Sequence, residues 1–280
     1  MADFRDPWTL SDTNLKHRSS VASTVDARIE RSWLQQASML SFTTDSTRKL
    51  YEHHYADLNL STTTIYNAFD RALFEEKDSS GPDLGMDLDN LNLIFFGISD
   101  FDGCRHAWAK FIKILANLKK RAPETVEDIK IHSFGSLSED DHRRAVENGL
   151  RDCFVTHSPV PVEQGLQVLQ QADIQLLSTS PQRKDIIPAK LWDYLAAERP
   201  ILSIAPNPEI DDILQETQAG VQHAPDDLQT VSELLKECVQ AKKEVLAMPI
   251  AFSHDRQKVN QYSARAATQK LSHILDKHTA

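Results

Sequence analysis

Short apolar runs alternate with longer amphipathic segments along most of this chain, starting near residue 91. The first run, Leu-Asn-Leu-Ile-Phe-Phe-Gly-Ile, has the nearly continuous apolar character of a strand buried on both faces of a parallel sheet. The pattern predicts five strands, at 91–98, 129–135, 153–158, 174–179 and 200–205. It predicts helices at 103–121, 138–149, 162–171, 188–198, 208–217 and 226–246. Strands that alternate with helices in this way indicate an α/β fold with a doubly wound, Rossmann-like parallel sheet.

The first ninety residues follow a weaker pattern. Residues 1–30 are mostly polar and are expected to be loosely structured, whereas residues 25–38 have apolar positions at helical spacing. Two short strands are predicted at 39–44 and 62–67, with a helix between them that is N-capped by Asp45 or Ser46 and runs through Tyr55. Residues rich in Asp, Ser and Gly with Pro82 indicate a linker over 75–90, and a last helix is predicted at 258–276. Trp33 and Trp108 occupy core spacing on their helices, so both are expected to pack inside.

The composition excludes several classes of function. The 280 residues carry a formal net charge of −10 and a sequence pI near 5.5, whereas general nucleic-acid binding needs a basic surface. Eight glycines are few for this length, and neither the GxGxxG nor the GxxxxGK[ST] phosphate-loop pattern occurs. A local basic pocket for one anionic nucleotide remains compatible with this charge.

Cysteine and hydropathy patterns point to a cytoplasmic chain. The three cysteines, Cys104, Cys153 and Cys238, are far apart and form no Cys-x-x-Cys pair, which favours reduced thiols over disulfides. The His53-His54 and Cys104-x-His106 pairs are too incomplete for a metal site. No apolar run reaches the ~20 residues of a membrane span, so any membrane contact is expected to be peripheral.

The segment from Asp185 to Leu202 carries the most chemical information. Asp185 lies in a polar loop, Pro188 opens a helix, and Lys190 and Asp193 lie on that helix directly before a buried strand. A helix N-terminus and a lysine can hold a diphosphate, while a carboxylate can accept hydrogen bonds from sugar hydroxyls. The pattern therefore indicates a site for a phosphate-linked sugar.

This segment resembles the donor-binding segment of GT-B glycosyltransferases of the retaining family-4 type. That family carries two acids separated by seven residues, usually both Glu, and here the two positions hold Asp185 and Asp193. The words DFRDPWT, SFTTDSTRKLYEHHY, TIYNAFDRALF and ADIQLLSTS extend the resemblance over nearly the whole chain, at 3–9, 41–55, 64–74 and 172–180.

The resemblance implies a division of the chain into four parts. Residues 1–75 are expected to be a remnant of the acceptor-side domain with the inter-domain crossover, and 76–90 a linker. Residues 91–250 are expected to form the donor-binding domain, followed by a C-terminal return helix at 251–280. An N-terminal acceptor-binding domain would be expected upstream in this family.

The resemblance also assigns roles to single residues. It implies catalytic roles at the donor sugar and diphosphate for Asp185, Arg105 and Lys190. It implies donor-binding roles for Gly97, Val160, Val162, Ile187 and Asp193, with the backbone of the two valines pairing with the base and Asp193 accepting from ribose. The family often has a basic pair after the first strand, where this chain has Arg105 beside Asp100 and Asp102; Arg183 or Lys184 can supply a second cation.

Three hypotheses for function follow. The first is a retaining transferase of a sugar from a UDP-sugar or GDP-sugar, with no metal or other cofactor, which needs an acceptor-domain partner or a homo-oligomer. The second is a truncated or degenerate transferase that binds a nucleotide-sugar, or serves as an interaction protein, without turnover. The third is another GT-B enzyme such as a nucleotide-sugar epimerase, which the RDPW and LAA words favour least.

Overall fold

The computed structural model describes residues 1–11, 19–75, 82–97, 104–135, 137–179, 187–204, 207–224, 226–250 and 252–279. The chain divides into two compact units. The first comprises Met1–Ala68, Lys184–Ile187 and Tyr262–Ala280, and the second comprises Phe69–Arg183 and Pro188–Gln261. The C-terminal helix thus groups with the N-terminal residues.

The first unit is built on a parallel sheet of three short strands in the order β1-β2-β3. These strands are β1 (Ala2–Phe4), β2 (Leu40–Phe42) and β3 (Thr62–Thr64). The helices of this unit are α1 (Ser20–Gln36), α2 (Asp45–His54) and, at the other end of the sequence, Ala264–Thr279. Leu34, Phe42 and Tyr51 form the centre of its small apolar core.

A buried carboxylate ties the N-terminal segment of the first unit to its helices. Glu30 is fully buried and accepts hydrogen bonds from the Tyr51 and Tyr55 hydroxyls, at 2.6 and 2.7 Å, and from the Thr9 backbone N–H at 3.1 Å. Burial, followed by the hydrogen bond to Glu30, raises the pKa of Tyr55 to about 12, so this tyrosine remains a donor at neutral pH. Four donors, including the Thr9 hydroxyl, replace the water that a buried carboxylate needs.

The second unit contains a six-stranded parallel sheet in the order β6-β5-β4-β7-β8-β9 within the described residues. The strands are β4 (Leu91–Phe96), β5 (Ile129–Phe134), β6 (Phe154–His157), β7 (Ile174–Ser178), β8 (Ile201–Ile204) and β9 (Gly220–Gln222). This 3-2-1-4-5-6 order is that of the doubly wound Rossmann sheet, as the sequence pattern predicts. The topology changes direction between β4 and β7.

Helices cover this sheet as the alternating pattern requires. In chain order they are α3 (Ala72–Glu75), α4 (Cys104–Arg121), α5 (Pro123–Glu127), α6 (Glu139–Glu147), α7 (Val162–Leu169), α8 (Lys190–Ala196), α9 (Pro208–Thr217), α10 (Leu228–Lys243) and α11 (Arg256–Asn260), and the C-terminal helix Ala264–Thr279 of the first unit is α12. Trp108 of α4 is fully buried and meets Phe95 of β4 edge to face at 4.7 Å. Its predicted core position is therefore confirmed.

The structure departs from the sequence expectations in four places, and the first is that the helix predicted at 258–276 is divided into α11 and α12. Residues 1–30, expected to be loosely structured, contain β1 and the first half of α1. Trp33 was expected in the core but is 59% exposed, and its ring packs against Trp8 at 5.3 Å. The sheet of the second unit has a sixth strand, β9, which is too short to be recognised from its pattern. In the described part of the chain, no helix combines the length and apolarity needed to span a bilayer.

Candidate functional site

The carboxyl ends of β4 and β7 meet where the topology of the large sheet changes direction, which is where open α/β sheets bind ligands. Strand β4 leads into Gly97, and β7 ends at Ser178 and is followed by Thr179. The hydroxyl oxygens of Ser178 and Thr179 are buried and have no hydrogen-bond partner among the described residues. Polar groups in this state are rare in folded proteins, so these two hydroxyls mark this edge as a candidate site.

Two glycines let the strand ends approach each other closely. Gly97 and Gly135 follow β4 and β5, and both have positive φ angles, of 128° and 143°. A Cβ on Gly135 would lie 2.0 Å from the Gly97 carbonyl oxygen, and the Gly97 N–H donates to Phe134 O at 3.1 Å. Glycine at position 135 therefore lets the two strand ends approach each other, and glycine at position 97 keeps a side chain out of the space beside Lys190.

Lys190 brings a positive charge to the end of β4. Its Nζ donates a hydrogen bond to the Phe96 carbonyl at 3.0 Å and lies 4.3 Å from the centre of the Phe95 ring. The same atom is 3.2 Å from the position that a Cβ on Gly97 would occupy. The structure thus brings together two residues, Gly97 and Lys190, that are 93 positions apart and that the sequence assigned to one site.

Asp193 lies one turn further along α8. Its carboxylate makes no hydrogen bond or ion pair with any residue that the structure describes, and it is partly buried. Burial raises the pKa of Asp193 above its ordinary value, because a partly desolvated carboxylate loses stabilisation in its charged form. An ionised group in this state favours a ligand that donates hydrogen bonds to it.

Tyr194 joins the two strands that flank the site. Its buried hydroxyl accepts from the Phe96 N–H at 3.1 Å and donates to the Leu176 carbonyl at 3.4 Å, which links β4 to β7. Sequence reasoning did not identify this role. A tyrosine beside an aspartate on an otherwise apolar helix was the available signal, because a buried hydroxyl requires partners.

The loop after β6 contains the residues predicted to meet a base. Val160 is partly buried, whereas the Val162 side chain is 68% exposed at the start of α7. The Val160 backbone makes no hydrogen bond with another described residue. A Cβ on Gly165 would lie 3.3 Å from the Phe96 ring and 3.9 Å from Val160, so this loop lies next to the end of β4.

Aromatic rings form a stack along the same edge. Phe96 lies parallel to Phe134 at a centroid distance of 4.7 Å, and Phe134 lies parallel to His157 at 4.5 Å. The three rings come from β4, β5 and β6 at their carboxyl ends. The stack places a row of ring edges along this end of the sheet, next to the loop that contains Val160.

The remaining predicted residues contribute less to the described geometry. Asp185, Arg183 and Lys184, with Asp100 and Asp102, lie outside the described residues. Arg105 lies in the first turn of α4, and its side chain is also outside the description. Ile187 is buried and groups with the first unit. Among the described residues, no cluster of three or more His, Cys, Asp or Glu side chains is arranged to hold a metal ion.

Comparison by sequence finds no family model and no curated protein that matches this chain. Comparison by structure finds glycosyltransferases. Sucrose-phosphate synthase from Thermosynechococcus elongatus matches with a TM-score of 0.69 at 13% identity, over 99% of this chain and 67% of that protein. The E. coli trehalose-6-phosphate structure bound with UDP-2-fluoro glucose matches with a TM-score of 0.68 at 12% identity, over 97% and 66%.

A third neighbour is the pneumococcal O-GlcNAc transferase in complex with UDP and GlcNAc. It matches with a TM-score of 0.58 at 13% identity, over 85% of this chain and 45% of its own length. The chain thus spans about half to two thirds of the proteins it is similar to. These similarities show that it has the GT-B fold, in the form of the C-terminal half of such glycosyltransferases.

Proposed function

From the GT-B fold that this chain shares with known glycosyltransferases, we propose that it binds a nucleotide diphosphate-sugar and transfers the sugar with retention of configuration, as family-4 enzymes do. The proposal rests mainly on one observation. The Lys190 ammonium lies beside Gly97 at the switch point of the sheet, where a diphosphate can approach the backbone closely.

The diphosphate contacts follow from charge and space. Lys190 donates to the diphosphate, and the absence of a side chain at Gly97 admits phosphate oxygens next to it. Arg105 on the first turn of α4 supplies a second cation, and Asp185 contacts the sugar. These assignments concentrate positive charge where the leaving group develops negative charge, which is the largest catalytic contribution that a preorganised site makes.

The nucleoside contacts follow from the hydrogen-bonding groups along the edge. Asp193 accepts hydrogen bonds from the ribose hydroxyls, because its carboxylate has no partner among the described residues. The Val160 and Val162 backbone groups pair with the base, and Ile187 adds an apolar contact. UDP and UDP-2-fluoro glucose in two structural neighbours support a UDP-sugar as the donor to test, and a GDP-sugar is the alternative that the sequence resemblance implies.

The transfer itself exchanges one bond for another. The bond between the anomeric carbon and the diphosphate oxygen breaks, and its electron pair leaves with the diphosphate. The acceptor hydroxyl forms the new bond to the anomeric carbon, and its proton passes to the departing phosphate oxygen. Lys190 stabilises the charge on that oxygen until the proton arrives.

The acceptor side of the reaction is proposed to involve a further α/β half or a second copy of the chain. Four apolar side chains at intervals of four residues are exposed along α1: Val21, Val25, Ile29 and Trp33, at 73, 47, 39 and 59%. Helix faces of this kind usually pack against another element. The neighbours also extend well beyond the part that this chain matches.

Calorimetric titration of the purified chain with UDP and GDP tests the donor site. We expect one of them to bind, and Asp193→Ala to weaken binding about 10-fold by removing an ionised acceptor. Asp212→Ala, an exposed aspartate on α9, is the matched control and should bind as the wild type does. Absence of binding by a chain with a cooperative unfolding transition would overturn the proposed function.

A further inference from the structure

Three side chains on neighbouring strands form a hydrogen-bonded chain that the donor site described so far does not use. Asn92 on β4, His132 on β5 and His157 on β6 lie on one face of the large sheet. His132 Nε2 lies 3.0 Å from Asn92 Oδ1, and His132 Nδ1 lies 2.8 Å from His157 Nε2. The chain runs obliquely from the beginning of β4 to the carboxyl end of β6.

The position of every proton in this chain follows from its first member. The Asn92 amide nitrogen donates to two backbone carbonyls, of Asp87 at 2.9 Å and Asn90 at 3.0 Å, so Asn92 Oδ1 is an acceptor. His132 must therefore carry its proton on Nε2 and accept on Nδ1. His157 must in turn carry its proton on Nε2 and donate it to His132.

The far end of the chain is consequently an acceptor. With its proton on Nε2, a neutral His157 presents a lone pair on Nδ1, and Nδ1 has no hydrogen-bond partner among the described residues. Burial lowers the pKa of His157, and burial followed by repulsion from His157 lowers the pKa of His132 to about 4. Both rings are therefore neutral at pH 7.

The acceptor lies at the edge where a base is expected. His157 ends β6, two residues before Pro159 and three before Val160, and its ring is the outer member of the stack with Phe134 and Phe96. A planar ring bound beside this stack would meet a hydrogen-bond acceptor whose tautomer is set from inside the sheet.

We propose that His157 selects the nucleobase, by accepting a hydrogen bond at Nδ1 from a ring N–H of uracil or guanine. This inference rests on the proposed donor-binding function. Uracil N3 and guanine N1 carry a hydrogen at their Watson–Crick edge, whereas adenine N1 and cytosine N3 present a lone pair. His157 would face those bases with lone pair against lone pair, which leaves both acceptors unsatisfied. His132 and Asn92 are positioning residues that hold the tautomer.

Binding measurements test the selection. We expect the wild type to bind UDP or GDP at least about 10-fold more tightly than ADP and CDP, which corresponds to one hydrogen bond against an unsatisfied pair. His157→Phe keeps the ring stack but removes the acceptor. It should weaken binding of the preferred nucleotide about 10-fold and leave the affinities for ADP and CDP unchanged or higher, because it removes one of the two opposed lone pairs. His142→Phe, an exposed histidine on α6, is the matched control.

Nitrogen-15 NMR of histidine-labelled protein tests the predicted tautomers of His132 and His157. The chain has 11 histidines, and the pair of ring-nitrogen resonances that is missing from the spectrum of His157→Phe belongs to His157. We expect protonated Nε2 and unprotonated Nδ1 in His132 and His157. The preferred nucleotide should shift His157 Nδ1, and its analogue methylated at the ring N–H should not. His132→Phe should remove the tautomer preference of His157.

Each outcome separates the two proposals. If UDP or GDP binds without shifting the His157 Nδ1 resonance, or if His157→Phe binds the nucleotide as tightly as the wild type, the role of His157 is overturned. The proposed donor site is not affected by either result. Equal affinity for all four nucleotides would also overturn the role of His157 alone. A folded chain that binds no nucleotide would overturn both.

Discussion

The Glu198 carboxylate accepts a hydrogen bond from Arg256 Nη2 at 2.6 Å, while the Glu198 backbone has the left-handed conformation with φ of 56°. The residue follows the end of α8, and Arg71 also reaches its carboxylate at 3.4 Å. Burial alone would raise the pKa of Glu198, but Arg256, His254 and Arg71 together hold it below its ordinary value. One residue thus combines an unfavourable backbone with two favourable ion pairs.

Replacing Glu198 in two ways separates these opposing effects. Glu198→Gln loses the ion pairs and keeps the strained backbone, whereas Glu198→Gly loses the pairs and relieves a strain of about 1 kcal/mol. We expect the glycine variant to be more stable than the glutamine variant by about 1 kcal/mol. Urea denaturation of both variants measures the difference, and a more stable glutamine variant would contradict the strain.

The approach of Gly135 to Gly97 predicts a large loss of stability on substitution. In Gly135→Ala the new Cβ would lie 2.0 Å from a backbone oxygen, so the strand ends must separate at a cost of about 2–4 kcal/mol. Gly85→Ala is the control, because Gly85 also has a positive φ, of 59°, but nothing lies within 4 Å of its Cβ position. It should lose about 1 kcal/mol. Equal losses in thermal or urea unfolding would exclude the steric explanation.

Removal of the Lys190 charge should weaken nucleotide binding. Lys190→Met keeps most of the apolar stem but loses the charged donor, so we expect the Kd for the preferred nucleoside diphosphate to rise about 10-fold or more. The affinity for the nucleoside without phosphates should not change. Lys236→Met, an exposed lysine on α10, serves as the control in the same calorimetric titrations. An equal loss of affinity for the nucleoside and the nucleotide would show that Lys190 supports the folded structure and does not contact the diphosphate.

Protonation of Asp45 at low pH should lower the stability of the first unit. Burial alone would raise the pKa of Asp45, but hydrogen bonds from Lys49, Arg48 and Thr64 lower it to about 2. Since the unfolded value is about 3.9, the charged form stabilises the fold above that pH, and the contribution is lost as pH falls from about 4 to about 2.

The corresponding variant is Asp45→Asn. We expect it to be less stable than the wild type by about 1–2 kcal/mol at pH 7, with the difference shrinking below pH 4. Urea denaturation at pH 7, 5 and 3.5 measures this, with Asp212→Asn as the exposed control. A difference that stays constant with pH would show that packing, not charge, is lost.

The sequence by itself determined the order of the first five strands of the second unit and of the longer helices between them. Strands buried on both faces are apolar throughout, so segments such as Leu91–Phe96 are recognisable without any knowledge of their neighbours. The prediction that Gly97, Lys190 and Asp193 belong to one site came instead from the family resemblance, combined with the rule that ligands bind beyond the carboxyl ends of parallel strands.

Only the tertiary structure decided the features that depend on contacts between elements distant in the sequence. Helical spacing places Trp33 on the apolar face of its helix but does not determine whether another element packs on that face. In the structure the Trp33 side chain is exposed. The three residues of β1 and of β9 become strands because an adjacent strand supplies their hydrogen bonds. The His132–His157 bond likewise requires β5 and β6 to be neighbours in register, since residues 25 positions apart meet only through strand pairing.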